Sequence, residues 1–142
     1  MRAVGVVRRY HGRVGFHRIG GSGMKIVRTT DSEEARATAP IFVGTVHSRP
    51  LIDAATSPAV TVTMVRFSDG GRNKPHTHSA DQILYIADGH GIVASTTTEH
   101  EVHAGDIVHV PAGEVHWHGA VPGGNMAHLS ILPPCETKMV AE

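Results

Sequence analysis

His76 and His78 stand two residues apart, Gln82 follows four residues later, and His116 comes three residues after the turn Pro111-Ala112-Gly113. Three imidazoles and one amide oxygen suit a borderline divalent cation: Mn²⁺, Fe²⁺, Ni²⁺ or Zn²⁺. A structural zinc site closes its shell, often with cysteine, and the chain has the single Cys135. Four protein ligands on an octahedral ion leave two positions open, the condition for Lewis-acid catalysis. The lone cysteine also excludes an intrachain disulfide and, lying after Pro133-Pro134, is read as incidental to the chemistry.

The elements that must carry these side chains read as strands. On a strand, residues two apart share a face, so His76 and His78 converge if that face is a barrel interior. The segment Val60-Thr61-Val62-Thr63-Met64-Val65-Arg66-Phe67 is β-branched with a period of two. Ser68-Asp69-Gly70-Gly71 reads as a turn. Asp88-Gly89, between the apolar runs 82–87 and 91–96, reads as a hairpin. Further strands are expected at 41–46, 99–103, 107–110, 114–120 and 126–132, with a strand or edge segment at 24–30. Residues 31–37 read as a short helical turn capped by Asp31 or Ser32 and ended by Pro40. Pro50 and Pro58 punctuate a loop, and Pro133-Pro134 stops the last strand. Strands every 8–12 residues or so, without helices between them, predict an all-β sandwich or barrel, which at this size can enclose a small cavity.

Length and composition agree. The 142 residues suit one domain, with 40% hydrophobic and 18% charged residues, 16 glycines, 8 prolines and few aromatics. Histidine is the outlier at 12 residues, most of them between His76 and His128. Charge is uneven: residues 1–23 hold five arginines and no acid, while the remainder holds 8 Lys+Arg against 13 Asp+Glu. The expected organisation is a basic, irregular extension over 1–23, jointed at Gly20-Gly21-Ser22-Gly23, and one domain over 24–142 with its core motifs at about 59–132. The acidic body argues against nucleic acid as a partner. No run nears the ~18 apolar residues of a membrane span. The charged, glycine-containing start does not read as a signal peptide, so a cytoplasmic location is expected.

Gly71-Arg72-Asn73-Lys74-Pro75-His76-Thr77-His78-Ser79-Ala80-Asp81-Gln82, continuing to Gly89, resembles the first cupin motif. Gly105-Asp106, Pro111-Ala112-Gly113 and His116 resemble the second, in the right order and separation. The resemblance implies a double-stranded β-helix (jelly-roll) barrel, commonly a homodimer, with a metal in one mouth. Dimerisation would also cover sheet edges. Gln82 departs from the pattern, because most metal cupins carry Glu there. An amide leaves the site one unit more positive, which weakens metal affinity, strengthens Lewis acidity and disfavours a ferric state. A narrower resemblance, over roughly 41–132, is to the bacterial manganese-dependent cupin hydroxynitrile lyases. It rests on His-Thr-His with Gln four residues later, on Gly113-Glu114-Val115-His116-Trp117-His118-Gly119-Ala120, and on Met126-Ala127-His128-Leu129. Where that family has a polar Gln four residues after the histidine matching His128, this chain has Leu132.

The expected function is that of a metal-dependent lyase on a small carbonyl adduct such as a cyanohydrin. Mn²⁺ is the favoured metal, held by His76, His78, Gln82 and His116, and His128 is the general base. A dioxygenase or isomerase on the same site, and a non-enzymatic small-ligand binder, are the alternatives. Thr63 and Val65 alternate on one strand face and His118 shares parity with His116, so all three are candidates for the substrate pocket. Gln82 and His118 could equally act as supports behind the ligands, and His128 could be a core residue bonded to a backbone carbonyl. His90, His100, His103 and His109 are expected on turns or outer faces, Trp117 in packing or a dimer contact, and Arg72 in a loop salt bridge.

Overall fold

The structure is a computed structural model that describes residues 23–31 and 33–141. Apart from Gly23, the basic extension expected over 1–23 lies outside the described residues, as does Ser32. The described chain forms ten strands: β1 (Ala35–Arg36), β2 (Phe42–Ile52), β3 (Thr61–Asn73), β4 (His76–His78), β5 (Gln82–Ser95), β6 (Glu99–His103), β7 (Ile107–Val110), β8 (His116–Ala120), β9 (Met126–Leu132) and β10 (Thr137–Met139). Among the described residues no helix is long and apolar enough to cross a membrane.

The sheet runs β1-β2-β3-β9-β5-β8-β4-β10, with β6 and β7 on β5, and Arg72 of β3 pairs with Gly119 of β8. That pairing closes β3, β9, β5 and β8 into an all-β barrel, the expected jelly roll. Its interior holds Val46, Val65, Phe67, Leu84, Ile86, Val93, Val102, Ala120 and Met126, all buried. A smaller apolar cluster of Leu51, Met64 and Ala127 lies beside it, with Val27, Val62 and Leu129 packed against it. Alternation explains the split: Val65 and Phe67 belong to the interior, whereas Met64 between them belongs to the second cluster.

Several local expectations give way to long-range pairing. Asp88-Gly89 is not a hairpin, because β5 runs through it. Ile86 pairs with His128 and Asp88 with Ala127, so Ala87 is an extra residue in a bulge. The bulge reverses side-chain parity: Gln82, Leu84 and Ile86 are buried before it, Gly91 and Val93 after it. Ser68-Asp69-Gly70-Gly71 likewise bends β3 without reversing it, with Asp69 at φ 51° and Gly70 at φ 74°. The described residues of 31–37 form no helical turn. Ala35 and Arg36 pair with Ser48 and His47, and the Ala37 N–H bonds Val46 O at 2.9 Å. Pro50 lies within β2 instead of a loop. Only β3 pairs with this part of β2, so the missing N–H costs no ladder bond on the open edge. Residues 24–28 form no strand. β10, after Pro133-Pro134, has no counterpart in the expected strands.

Gly89 has φ 79°, and a Cβ there would collide with the backbone of Asn125 and Met126. Gly89→Ala is expected to lower stability by about 3 kcal/mol in urea denaturation. Gly105→Ala is the control: φ is 99°, yet nothing lies within 4 Å of its Cβ, so only the conformational cost of ~1–2 kcal/mol applies.

Candidate metal centre and its cavity

The antiparallel pairing of β4 with β8 sets His76 directly opposite His116. His78 shares the His76 face. The ring centroids of His76 lie 4.8 Å from His78 and 4.2 Å from His116. One ligating nitrogen from each of the three histidines falls within 4.8 Å of the others. Gln82 opens β5 and is buried, and its Oε1 lies 3.1 Å from His116 Nε2.

The outer nitrogens of these rings are occupied. His76 Nδ1 donates to Lys74 O at 2.7 Å and His116 Nδ1 to Glu114 O at 2.9 Å. His78 Nδ1 shares a 2.9 Å hydrogen bond with Thr137 Oγ1, brought alongside by the pairing of β10 with β4. The Nδ1 protons of His76 and His116 thus leave the opposite nitrogens as lone pairs, the arrangement found behind metal-bound histidines. His78 Nε2 is buried with no hydrogen-bond partner. The Gln82 amide donates through Nε2 to Ser130 Oγ at 2.8 Å, so its Oε1 lone pair faces that of His116 Nε2. Two facing acceptors at 3.1 Å have no bond to share. Two ligands ~2.1 Å from one ion sit about this far apart. The donors present therefore fit a divalent cation.

Burial keeps the site free of competing protons. His76 is pushed down to about 4 by burial and by the adjacent His116 and His78, against the bond to Lys74. His78 is also pushed down to about 4, by burial and His116. Burial lowers His116, opposed by the Glu114 carbonyl and carboxylate. Neutral imidazoles are what a metal requires.

A cavity of about 310 Å³ adjoins His76, His78 and Gln82, small for a ligand site, while His116 is not among its lining residues. Volume does not single it out, because a surface cleft lined by Thr77 and Ala112 has about 380 Å³. Its lining does: His76, His78, Gln82, His118, His128 and Ser130 all border it. His128 sits on β9 between Val65 of β3 and Ile86 of β5. It is buried, and neither ring nitrogen completes a hydrogen bond. Burial pushes it down to about 4, opposed by the Leu129 backbone. His118 meets it edge to face with centroids 4.7 Å apart, and Phe67 packs against both rings. Burial first, then the neighbouring His128, lowers His118 well below the ordinary histidine value.

Val65 and His118 line the cavity as expected for a pocket, but Thr63 is not among its lining residues. Thr63 is one residue pair, roughly 7 Å, further along β3, half-buried and paired with Pro50 and Ser130. Arg72 is on a strand, not in a loop, with its guanidinium 5.2 Å from the Trp117 ring centroid. Asn73 escaped the sequence reading. It is buried, lines the cavity, and accepts the His118 N–H on Oδ1 at 2.8 Å. Its Nδ2 therefore donates to His118 Nε2 at 2.9 Å, which places the proton of the neutral ring on Nδ1. No local signal marks Asn73, because its partner is 45 residues away.

A closed all-β barrel with three histidines that could hold a metal converging beside an inner cavity defines a cupin type of site. The comparisons with known proteins agree, and the chain belongs to the cupin family: residues 63–132 match the Cupin domain family. The chain is 36% identical, over 82% of its length and 90% of the relative's, to a Granulicella tundricola protein named (R)-mandelonitrile lyase. Among solved structures, a cupin-like protein from Thermotoga maritima superposes with a TM-score of 0.73 at 24% identity, covering 81% of this chain and 90% of that one. The polyketide cyclase RemF from Streptomyces resistomycificus gives 0.70 at 25% identity, covering 84% and 88%.

Proposed function

We propose that the chain is a metal-dependent lyase that cleaves a small cyanohydrin into an aldehyde and hydrogen cyanide. The observation that carries this reading is His128, a buried imidazole with both nitrogens unpartnered, on the same small cavity as His76, His78 and Gln82. The relative named (R)-mandelonitrile lyase supports the substrate class. When bound by His76, His78, His116 and Gln82, a divalent cation supplies a Lewis acid for the substrate oxygen. His128, neutral at working pH, accepts the cyanohydrin hydroxyl proton. The C–CN bond breaks with its electron pair leaving on cyanide, and the carbonyl forms. The proton passes from the His128 imidazolium to cyanide, which departs as hydrogen cyanide. Asn73 holds the proton of His118 on Nδ1, a donor beside His128. Phe67 and Val65 give the cavity an apolar wall.

Manganese as the working metal follows from the resemblance to the manganese-dependent lyases, and a less charged set with Gln82 disfavours ferric chemistry. A homodimer in the cytoplasm completes the proposal. The exposed Tyr85 and Ile107, paired across β5 and β7, offer an apolar outer face for a second copy.

The test is metal content by mass spectrometry on protein purified without a metal column, followed by mandelonitrile cleavage at mildly acidic pH. About one manganese per inner site, lost in His76→Ala, with benzaldehyde released above the buffer rate, is the expected result. Manganese-loaded protein that releases no benzaldehyde above buffer overturns the cyanohydrin reading. Failure to retain any divalent metal at His76 overturns the metal-dependent one.

A further inference from the structure

We propose a second divalent-metal site on the outside of the barrel, formed by His90 of β5 with Glu101 and His103 of β6. The register of the β5–β6 ladder places His90 directly opposite His103. Glu101 is two residues from His103 on the same face, because the buried Val102 between them points inward. The two imidazoles stack with centroids 4.3 Å apart and planes 14° from parallel. His90 Nε2 lies 3.1 Å from Glu101 Oε2. One ligating atom from each of the three residues falls within 4.8 Å of the others.

A hydrogen bond accounts for His90 and Glu101 but not for His103 stacked on the His90 ring. One cation accounts for all three. Tetrahedral ligands ~2.1 Å from an ion lie ~3.4 Å apart, so the widest pair must close by up to about 1.4 Å. Exposed Glu101 and His103 and half-exposed His90 can make that adjustment by side-chain rotation. The backbone beneath them is fixed. The His90 N–H bonds Asn125 O at 3.0 Å, the His103 N–H bonds the Asp106 carboxylate at 2.7 Å, and five residue pairs join β5 to β6. Such a site needs only rotamer changes, not refolding, to load.

Two imidazoles and one carboxylate with a fourth position open to water suit Zn²⁺, with Cu²⁺ and Ni²⁺ as competitors by intrinsic affinity. The hard-cation preference for six or more oxygens excludes Ca²⁺. Occupancy would clamp the β5–β6 pair. It would also add one ion per chain to zinc-exposed protein, whether or not the inner site is filled and independently of any lyase activity.

The test is a titration of metal-free, untagged protein with Zn²⁺ against a chromophoric chelator. Wild type is expected to take two equivalents per chain. His90→Ala and His103→Ala should each weaken the second by at least ~10-fold, while His76→Ala should retain it. Co²⁺ absorption reports the same loss independently, and circular dichroism shows that the surface variants remain folded. A single equivalent in wild type that both His90→Ala and His103→Ala leave intact overturns the proposal. So does a second equivalent that survives both His90→Ala and His103→Ala, which would place it elsewhere. A half equivalent lost in His103→Ala would mean an ion shared between two copies and would overturn the single-chain geometry.

Discussion

Mandelonitrile cleavage by His128→Ala is expected to fall by ~10²–10⁴-fold, the usual contribution of a positioned general base, while metal content stays at the wild-type level. The two readouts separate because His128 is on β9 and neither nitrogen bonds a ligand residue, whereas His76, His78 and His116 are on β4 and β8. Loss of metal together with activity would assign His128 a structural part instead. The pH profile is a second signature. Burial holds His128 at about 4, so its neutral, proton-accepting form persists well below the ordinary histidine range. kcat/KM should stay level from pH 7 to about 5 and decline only as pH approaches 4. His76 and His78 also begin to protonate at about 4. Metal content must therefore be followed at each pH, and the decline assigned to His128 only where the metal remains bound. A decline centred near ~6.5 would exclude a base in this environment.

Metal-free protein is expected to lose stability steeply as pH falls from about 6.5 to about 4. In the unfolded chain each imidazole takes a proton near ~6.5, while folded His128 takes none until about 4. Between those limits the unfolded state binds more protons, so stability rises with pH and is lost on acidification. For His128, which is fully buried, the shift from 6.5 to about 4 corresponds to ~3 kcal/mol. His118, buried beside it and also lowered, acts in the same direction. Urea midpoints at pH 7 and pH 4.5 measure the effect. His128→Leu, which puts an apolar side chain in the same place, should reduce the dependence by the His128 share, leaving that of His76, His78, His116 and His118. An equal slope in His128→Leu would show that the acid sensitivity originates elsewhere.

Both expectations depend on a cavity whose histidines were legible to different degrees. Period-two alternation placed His76 with His78, and His116 with His118, on shared faces, because strand geometry is local. Strand count and the absence of helical periodicity pointed to a barrel for the same reason. Turn chemistry misled where glycine permits two outcomes. Gly89 and Gly70 adopt positive φ as a hairpin would require, yet they serve bends within continuous strands, and only the partners on β9 and β2 decide between the two. Pairing with β2 likewise drew Ala35–Arg36 into a strand despite good helical capping residues.

The residue types able to hold a metal and move a proton, and the strands able to carry them, were determined by the sequence alone, since both follow from chemistry and near-neighbour periodicity. Tertiary structure decided which of those residues meet. It set His76 across from His116, Asn73 against His118, and His90 against His103, and it left Thr63 out of the cavity that Val65 lines. These outcomes depend on register between segments far apart in the chain, as in the pairing of Thr63 with Ser130. A one-residue bulge at Ala87 changes which side chains of β5 face inward, and no local propensity encodes that choice.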